Sequence, residues 1–381
     1  MREVPRISAE CVIDLSGYLI VGASAAAATA VTTPIVGRVA RAKGWMAEPD
    51  ERRAHPVPTP NIGGVAFLVG LLVALVVAAQ MDRFDPIVAN NSEILGVIGA
   101  ALIITVLGLF DDIREVSAPM KVTGTVFAGL ALVWFGVTMF YFRVPFLDVF
   151  VLSDDWIPLF TVVWLVGMTQ AVNLIDGLDG LAAGIVAIAS GAFFAYSKHL
   201  EDLALLSEPN IGPLIAIITV GVCIGFLPFN FNPARIFMGD CGALLLGLML
   251  AISTSVVGGR ADPQLQNFSA QTYFFIAPLF IPLLILGVPI VDVLFAVLRR
   301  TISRQGLTTA DRGHLHHRLI ALGHGPRRAV VILWLWTALL SAVALLPALS
   351  NETPNFGPIL AAAVALALFT VLHPRWSRSN Q

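Results

Sequence analysis

Long apolar runs alternate with short polar segments along the chain, at a spacing near the ~20 residues that a helix needs to cross a bilayer. Eleven runs are legible, at roughly 15–38, 62–80, 94–110, 122–142, 157–174, 181–197, 210–229, 241–257, 272–298, 329–349 and 356–373. The pattern predicts an all-α integral membrane protein of about 11 transmembrane helices. With no fixed short repeat and no flexible linker, residues 1–381 read as a single polytopic membrane domain. The first run, with Arg2 and Arg6 ahead of it, has some features of a signal peptide. It is longer than the apolar segment such peptides carry, so it is read as an anchored span.

Lys and Arg set the orientation, because basic residues concentrate in cytoplasmic loops. With the N-terminus outside, 17 of the 23 basic residues fall inside, leaving Arg2, Arg6, Arg83, Arg143, Lys198 and Arg260 outside. The expected topology is N-terminus outside and C-terminus cytoplasmic. Five polar segments then share the cytoplasmic side: RRAHPVPTPNIGG (52–64), GLFDDIRE (108–115), NLIDGLDGL (173–181), NPARIFMGD (232–240) and ADRGHLHHRL (310–319). Loops 41–61, 111–121, 174–180, 230–240 and 299–328 are therefore expected to build one composite active site.

Composition sharpens the membrane assignment. Hydrophobic residues make up 57% of the chain and charged residues 13%, against about 25% charged in soluble domains. The net charge of −2 offers no basic field for nucleic acid. Three cysteines (Cys11, Cys223, Cys241) lack metal-ligand spacing, and an odd count with Cys223 in an apolar run argues against a disulfide framework.

The polar segments carry the candidate chemistry. Asp111 and Asp112 close the third span, where the negative end of the helix dipole disfavours two carboxylates. Lys121, Arg114 or a divalent cation is expected to compensate, although a solvated helix end is the plainer alternative. In NLIDGLDGL, Asn173, Asp176 and Asp179 recur every three residues, which on a helix puts three oxygens on one face. Oxygen-only donors favour Mg²⁺, with Mn²⁺ as an alternative, over zinc. A cap with turn glycines ahead of the sixth span is the alternative there.

Asp240 opens the eighth span, as an N-cap or as a metal ligand beside a phosphate. His314, His316, His317 and Arg318 lie in a long basic loop and suit a diphosphate through charge-assisted hydrogen bonds. Asp292 lies inside the ninth span, a costly position, with Arg299 two turns away. No Walker A sequence is present, and the carboxylates gather at the inner ends of spans. An ATP-driven pump is disfavoured, and so is a cation-coupled transporter, whose site would sit near the midplane.

Taken together, PTPNIGG, LFDD, AVNLIDGLDGLAAG, IFMGD and HLHHRL, in this order across nearly the whole chain, resemble the polyprenyl-phosphate N-acetylhexosamine-1-phosphate transferases, the MraY/WecA superfamily. The resemblance implies a Mg²⁺-dependent attack of undecaprenyl phosphate on the sugar-linked phosphorus of a UDP-N-acetylhexosamine, releasing UMP at the cytoplasmic face of the plasma membrane. It implies catalytic roles for Asp111, Asp112, Asp179 and His317. Substrate binding would fall to Asp176, His314, His316, Arg318 and Asn61, and metal binding to Asn173 and Asp240. Asp111 would position the lipid phosphate, which is largely ionised near neutral pH, rather than deprotonate it. Dimers occur among relatives, so the resemblance also admits a homodimer.

His-Leu-His-His-Arg and HPVPTPNIGG resemble the WecA-like branch, which implies GlcNAc-1-phosphate as the transferred group. GalNAc-1-phosphate or phospho-MurNAc-pentapeptide are the alternatives. Cys241 departs from the Ser or Thr that many relatives carry after the aspartate.

Overall fold

The computed structural model describes residues 9–47, 57–89, 92–114, 116–139, 141–143, 149–203, 206, 209–258, 319, 322–349 and 355–379. Its helices are α1 (Ala9–Lys43), α2 (Gly64–Ala78), α3 (Asp85–Ala89), α4 (Ser92–Arg114), α5 (Ala118–Trp134), α6 (Ile157–Ile175), α7 (Leu181–Asp202), α8 (Gly212–Asn230), α9 (Gly239–Gly258), α10 (Pro326–Leu349) and α11 (Gly357–Ser379). Two short antiparallel pairs complete it: β1 (Met46–Ala47) with β2 (Thr59–Pro60), and β3 (Tyr141–Arg143) with β4 (Val149–Val151).

Seven of these helices are long and apolar enough to cross a membrane, and α2 with the short helices after it makes a further pair bent by 97°. The chain is thus a mostly helical, multi-pass membrane protein. One expected span is shorter than its apolar run. The fourth, expected to reach 142, stops at Trp134, where the chain turns through Gly136 at φ 91° and enters the β3–β4 hairpin. The eleventh, expected over 356–373, carries α11, whose apolar part is Gly357–Thr370. The ninth expected span, 272–298 with Asp292, lies outside the described residues.

α9 is the central element. Leu244, Leu245, Leu246, Leu248 and Met249 are all fully buried, as expected of a helix apolar on every side. It packs against α2, α4, α6, α7 and α8. Its first turn is held by backbone-to-backbone approaches that only glycine allows. A Cβ on Gly108 of α4 would lie 2.3 Å from Cys241 Cα, and one on Gly64 of α2 would lie 2.1 Å from Gly242 N. Small residues let helices approach this closely in membranes, where apolar lipid removes much of the hydrophobic incentive to associate.

The two ends of the bundle differ. At one end, Arg83 pairs with Glu201 at 2.8 Å and lies over the Tyr18 ring, tying α7 to α1 and to the segment before α3. At the other, the connections after α1, α4, α6 and α8 meet. There Pro60 O accepts from Phe237 N–H at 2.8 Å, Phe237 O from Gly63 N–H at 2.9 Å, and Met238 O from Gly64 N–H at 2.9 Å. α7 runs between the ends, roughly 33 Å at 1.5 Å per residue.

Candidate active site

α4 delivers its two aspartates to the second end in different directions, because successive helical residues point about 100° apart. Asp111 is buried, and its carboxylate accepts from Val116 N–H at 2.6 Å. It also pairs with Lys121, the first charged side chain of α5. The same ammonium bonds Asp240 Oδ2 from α9, so Asp111 and Asp240 share one cation. Asn173, near the end of α6, lies beside Asp240. Four segments therefore converge on one point: α4, α5, α6 and α9.

Asp112 faces elsewhere. Its Oδ1 accepts from Asp240 N–H at 2.8 Å and from Asn61 Nδ2 at 2.9 Å, and its Oδ2 accepts from Cys241 N–H at 3.1 Å. Those two backbone N–H groups belong to the first turn of α9, where helical donors have no partner of their own. Asp240 is therefore not the N-cap of α9, which was one sequence expectation: it stands within the first turn, and Asp112 meets its N–H from another helix.

The NLIDGLDGL segment also differs from the expected helical face. α6 ends at Ile175, and Asp176 follows it as a C-cap residue with ψ 64°. Gly180, at φ 79°, leads into α7. Asp179 thus sits in a turn, off the face that carries Asn173. Its Oδ2 accepts from Asn232 Nδ2 at 2.9 Å and Ala234 N–H at 3.0 Å, and Gly180 N–H donates to Asn230 Oδ1 at 3.0 Å. Arg327 Nε, at the start of α10, donates to Asn232 O at 2.8 Å. The 176–180 turn, the 230–236 segment and α10 are joined by this chain.

Of the residues singled out from sequence, Asp111, Asp112, Asn61, Asn173 and Asp240 gather around one point, with Asp179 on the neighbouring turn. His314, His316, His317 and Arg318 lie outside the described residues. Lys121 was named only as a counter-charge; the signal for more was a lone lysine opening an apolar run. Asn232 opens the NPARIFMGD segment, but spacing gives it no role of its own, because it holds Asp179 from 53 positions away.

The donor set suits a hard cation. Among the described residues no group of three or more His, Cys, Asp or Glu is arranged to hold a metal ion. Mg²⁺, however, is typically bound by only one or two carboxylates together with water and substrate phosphate. Asp240 and Asp111 offer carboxylate oxygens, and the Lys121 ammonium already marks the place as one for positive charge. Cys241 is buried and uncrosslinked. It meets Asp112 through its backbone N–H, so the departure from Ser or Thr leaves that contact intact.

A bundle of apolar helices with carboxylates, an amide and a lysine converging at one end is a site that a membrane-embedded transferase can use. Residues 94–258 match the model of glycosyl transferase family 4. The chain is 33% identical to a decaprenyl-phosphate N-acetylglucosaminephosphotransferase of Mycobacterium leprae (strain TN), over 97% of this chain and 93% of the relative. It is 35% identical to a probable undecaprenyl-phosphate N-acetylglucosaminyl 1-phosphate transferase of Bacillus subtilis (strain 168), over 80% and 78%. A phospho-N-acetylmuramoyl-pentapeptide-transferase of Desulfitobacterium hafniense (strain DSM 10664 / DCB-2) is 34% identical over 59% of this chain and 74% of its own. The chain belongs to glycosyl transferase family 4, within the MraY/WecA superfamily that its motifs resemble.

Proposed function

We propose that the protein transfers N-acetylglucosamine 1-phosphate from UDP-N-acetylglucosamine to a polyprenyl phosphate at the cytoplasmic face of the plasma membrane. A phosphate oxygen of the lipid attacks the sugar-linked phosphorus. The bond from that phosphorus to the UMP oxygen breaks, giving a polyprenyl-diphosphate sugar and UMP. The observation that carries this reading is the convergence of Asp111 and Asp240, from two helices, on one cationic position at the bundle end where the motifs meet.

Asp240 and Asn173 would hold Mg²⁺, which when bound offsets diphosphate charge. Lys121 donates to phosphate oxygens from between the two aspartates. Asp111 orients the lipid phosphate by repulsion on one side and by its lysine on the other. Asp179 holds the 230–236 segment against the site. The decaprenyl and undecaprenyl N-acetylglucosamine transferases among the relatives support the acceptor and the sugar. The basic residues at and beyond the ends of α1, α4 and α8 at this end of the bundle, among them Arg41, Lys43, Arg114, Lys121 and Arg235, support a cytoplasmic site, with the N-terminus outside and the C-terminus inside. Initiation of a cell-envelope glycan is the role that fits this product.

The test is UMP release by the purified protein with undecaprenyl phosphate, Mg²⁺ and UDP-N-acetylglucosamine, with and without EDTA. Release should require lipid and metal, and Asp240→Asn should abolish it in a protein that still elutes as folded. Release with UDP-MurNAc-pentapeptide alone would keep the chemistry and replace the sugar. No release with either donor would overturn the reading.

A further inference from the structure

We propose that Asp112 is a positioning residue: from α4 it caps the first turn of α9 and thereby holds Asp240 toward Asp111 and Lys121. The catalytic consequence rests on the transferase reading above, but the contact itself does not. A carboxylate has about four acceptor positions, and protein donors fill three of them here: Asp240 N–H, Cys241 N–H and the Asn61 side-chain amide. Asp111, the adjacent residue, instead faces the lysine it shares with Asp240.

The packing around Gly239 makes the contact a close one. A Cβ there would lie 2.3 and 2.6 Å from the two Asp112 oxygens and 2.2 Å from Asn61 O. The carboxylate thus rests on the turn that starts α9. Negative charge is favoured at that end of a helix, and the donors it satisfies would otherwise be orphaned. The same geometry assigns Asn61 to this cap, as the residue that steadies Asp112, rather than to the substrate. Its backbone neighbours Pro60, Gly63 and Gly64 bond the 237–238 stretch of chain leading into α9.

Asp112→Asn probes the cap with little change of shape. In either amide orientation its NH₂ faces at least one of the three donors, so one hydrogen bond must fail. The variant, with Asp111→Asn as its control, is compared with the wild type in lipid nanodiscs by three readouts: amide hydrogen exchange over 237–242, Mn²⁺ affinity by electron paramagnetic resonance, and the Mg²⁺ dependence of UMP release. In Asp112→Asn, exchange should accelerate at least tenfold and Mn²⁺ affinity should fall at least fivefold. Raising Mg²⁺ should recover part of the lost rate. Asp111→Asn should leave exchange over 237–242 at the wild-type rate.

Unchanged exchange with lost turnover would overturn the proposal and make Asp112 a substrate-contacting residue. Accelerated exchange with unchanged Mn²⁺ affinity and Mg²⁺ dependence would also overturn it, leaving a cap that only supports the fold. A wild-type protein that neither binds Mn²⁺ nor releases UMP would sink the transferase reading and the catalytic consequence, while the exchange comparison still decides the cap.

Discussion

Replacing Gly239 with alanine separates two costs that coincide at the start of α9. One is conformational: Gly239 has φ 68°, in the left-handed region that costs a residue with a Cβ about 1–2 kcal/mol. The other is steric, because the new methyl would sit 2.2 Å from Asn61 O and 2.3 Å from an Asp112 oxygen. None of these atoms is the free end of a long flexible side chain. Asn61 O is backbone, and Asp112 is held by three hydrogen bonds. Overpacking of this kind typically costs about 1–3 kcal/mol, so Gly239→Ala should destabilise by about 2–5 kcal/mol in all.

Gly44 supplies the control. It has nearly the same backbone, φ 73°, but nothing lies within 4 Å of where its Cβ would stand. Gly44→Ala should therefore carry the conformational cost of ~1–2 kcal/mol alone. Reversible unfolding of both variants in mixed micelles, titrated with SDS, measures the difference, and UMP release reports the site. Equal destabilisation of the two variants, with turnover intact in Gly239→Ala, would refute the close seating of Asp112 on the α9 turn.

Two further outcomes are expected at the same site. Lys121→Met removes the cation between Asp111 and Asp240, where a single charge pair at 4 Å is worth ~4 kcal/mol at an effective dielectric constant of 20. Mn²⁺ binding should tighten at least tenfold while UMP release falls at least a hundredfold; weaker Mn²⁺ binding would contradict the shared position. Cys241→Ala should keep UMP release within about twofold of wild type, because the backbone N–H makes the contact with Asp112. A loss of tenfold or more would give the thiol a role of its own.

Much of this molecule is legible in its sequence because the bilayer constrains it so tightly. A segment of about 20 apolar residues has few alternatives to a spanning helix, and ten of the eleven apolar runs carry helices among the described residues. The helix ends are harder to read. The fourth run remains apolar past Trp134, and only the backbone turn at Gly136 ends it. NLIDGLDGL has a period of three that suits a helix, yet Gly177 and Gly180 let the chain turn, so Asn173 and Asp179 serve different neighbours. The two aspartates of LFDD meet different partners, the first turn of α9 for Asp112 and Lys121 for Asp111, for a related reason. Adjacency in sequence suggests a shared task, whereas a helix sends neighbouring side chains apart.

Read as a linear string, the chain already shows a multi-pass membrane protein that belongs with lipid-phosphate sugar transferases. Those properties follow from composition, spacing and motif order, which are one-dimensional. Which oxygen meets which donor is a matter of packing in three dimensions. Asp111 and Asp240 are 129 positions apart in the chain and come to share Lys121 because Gly108 and Gly64 let α4 and α2 close onto the first turn of α9. Hydrogen bonds fall off within tenths of an ångström, so the division of labour among the aspartates depends on packing distances that no linear spacing encodes.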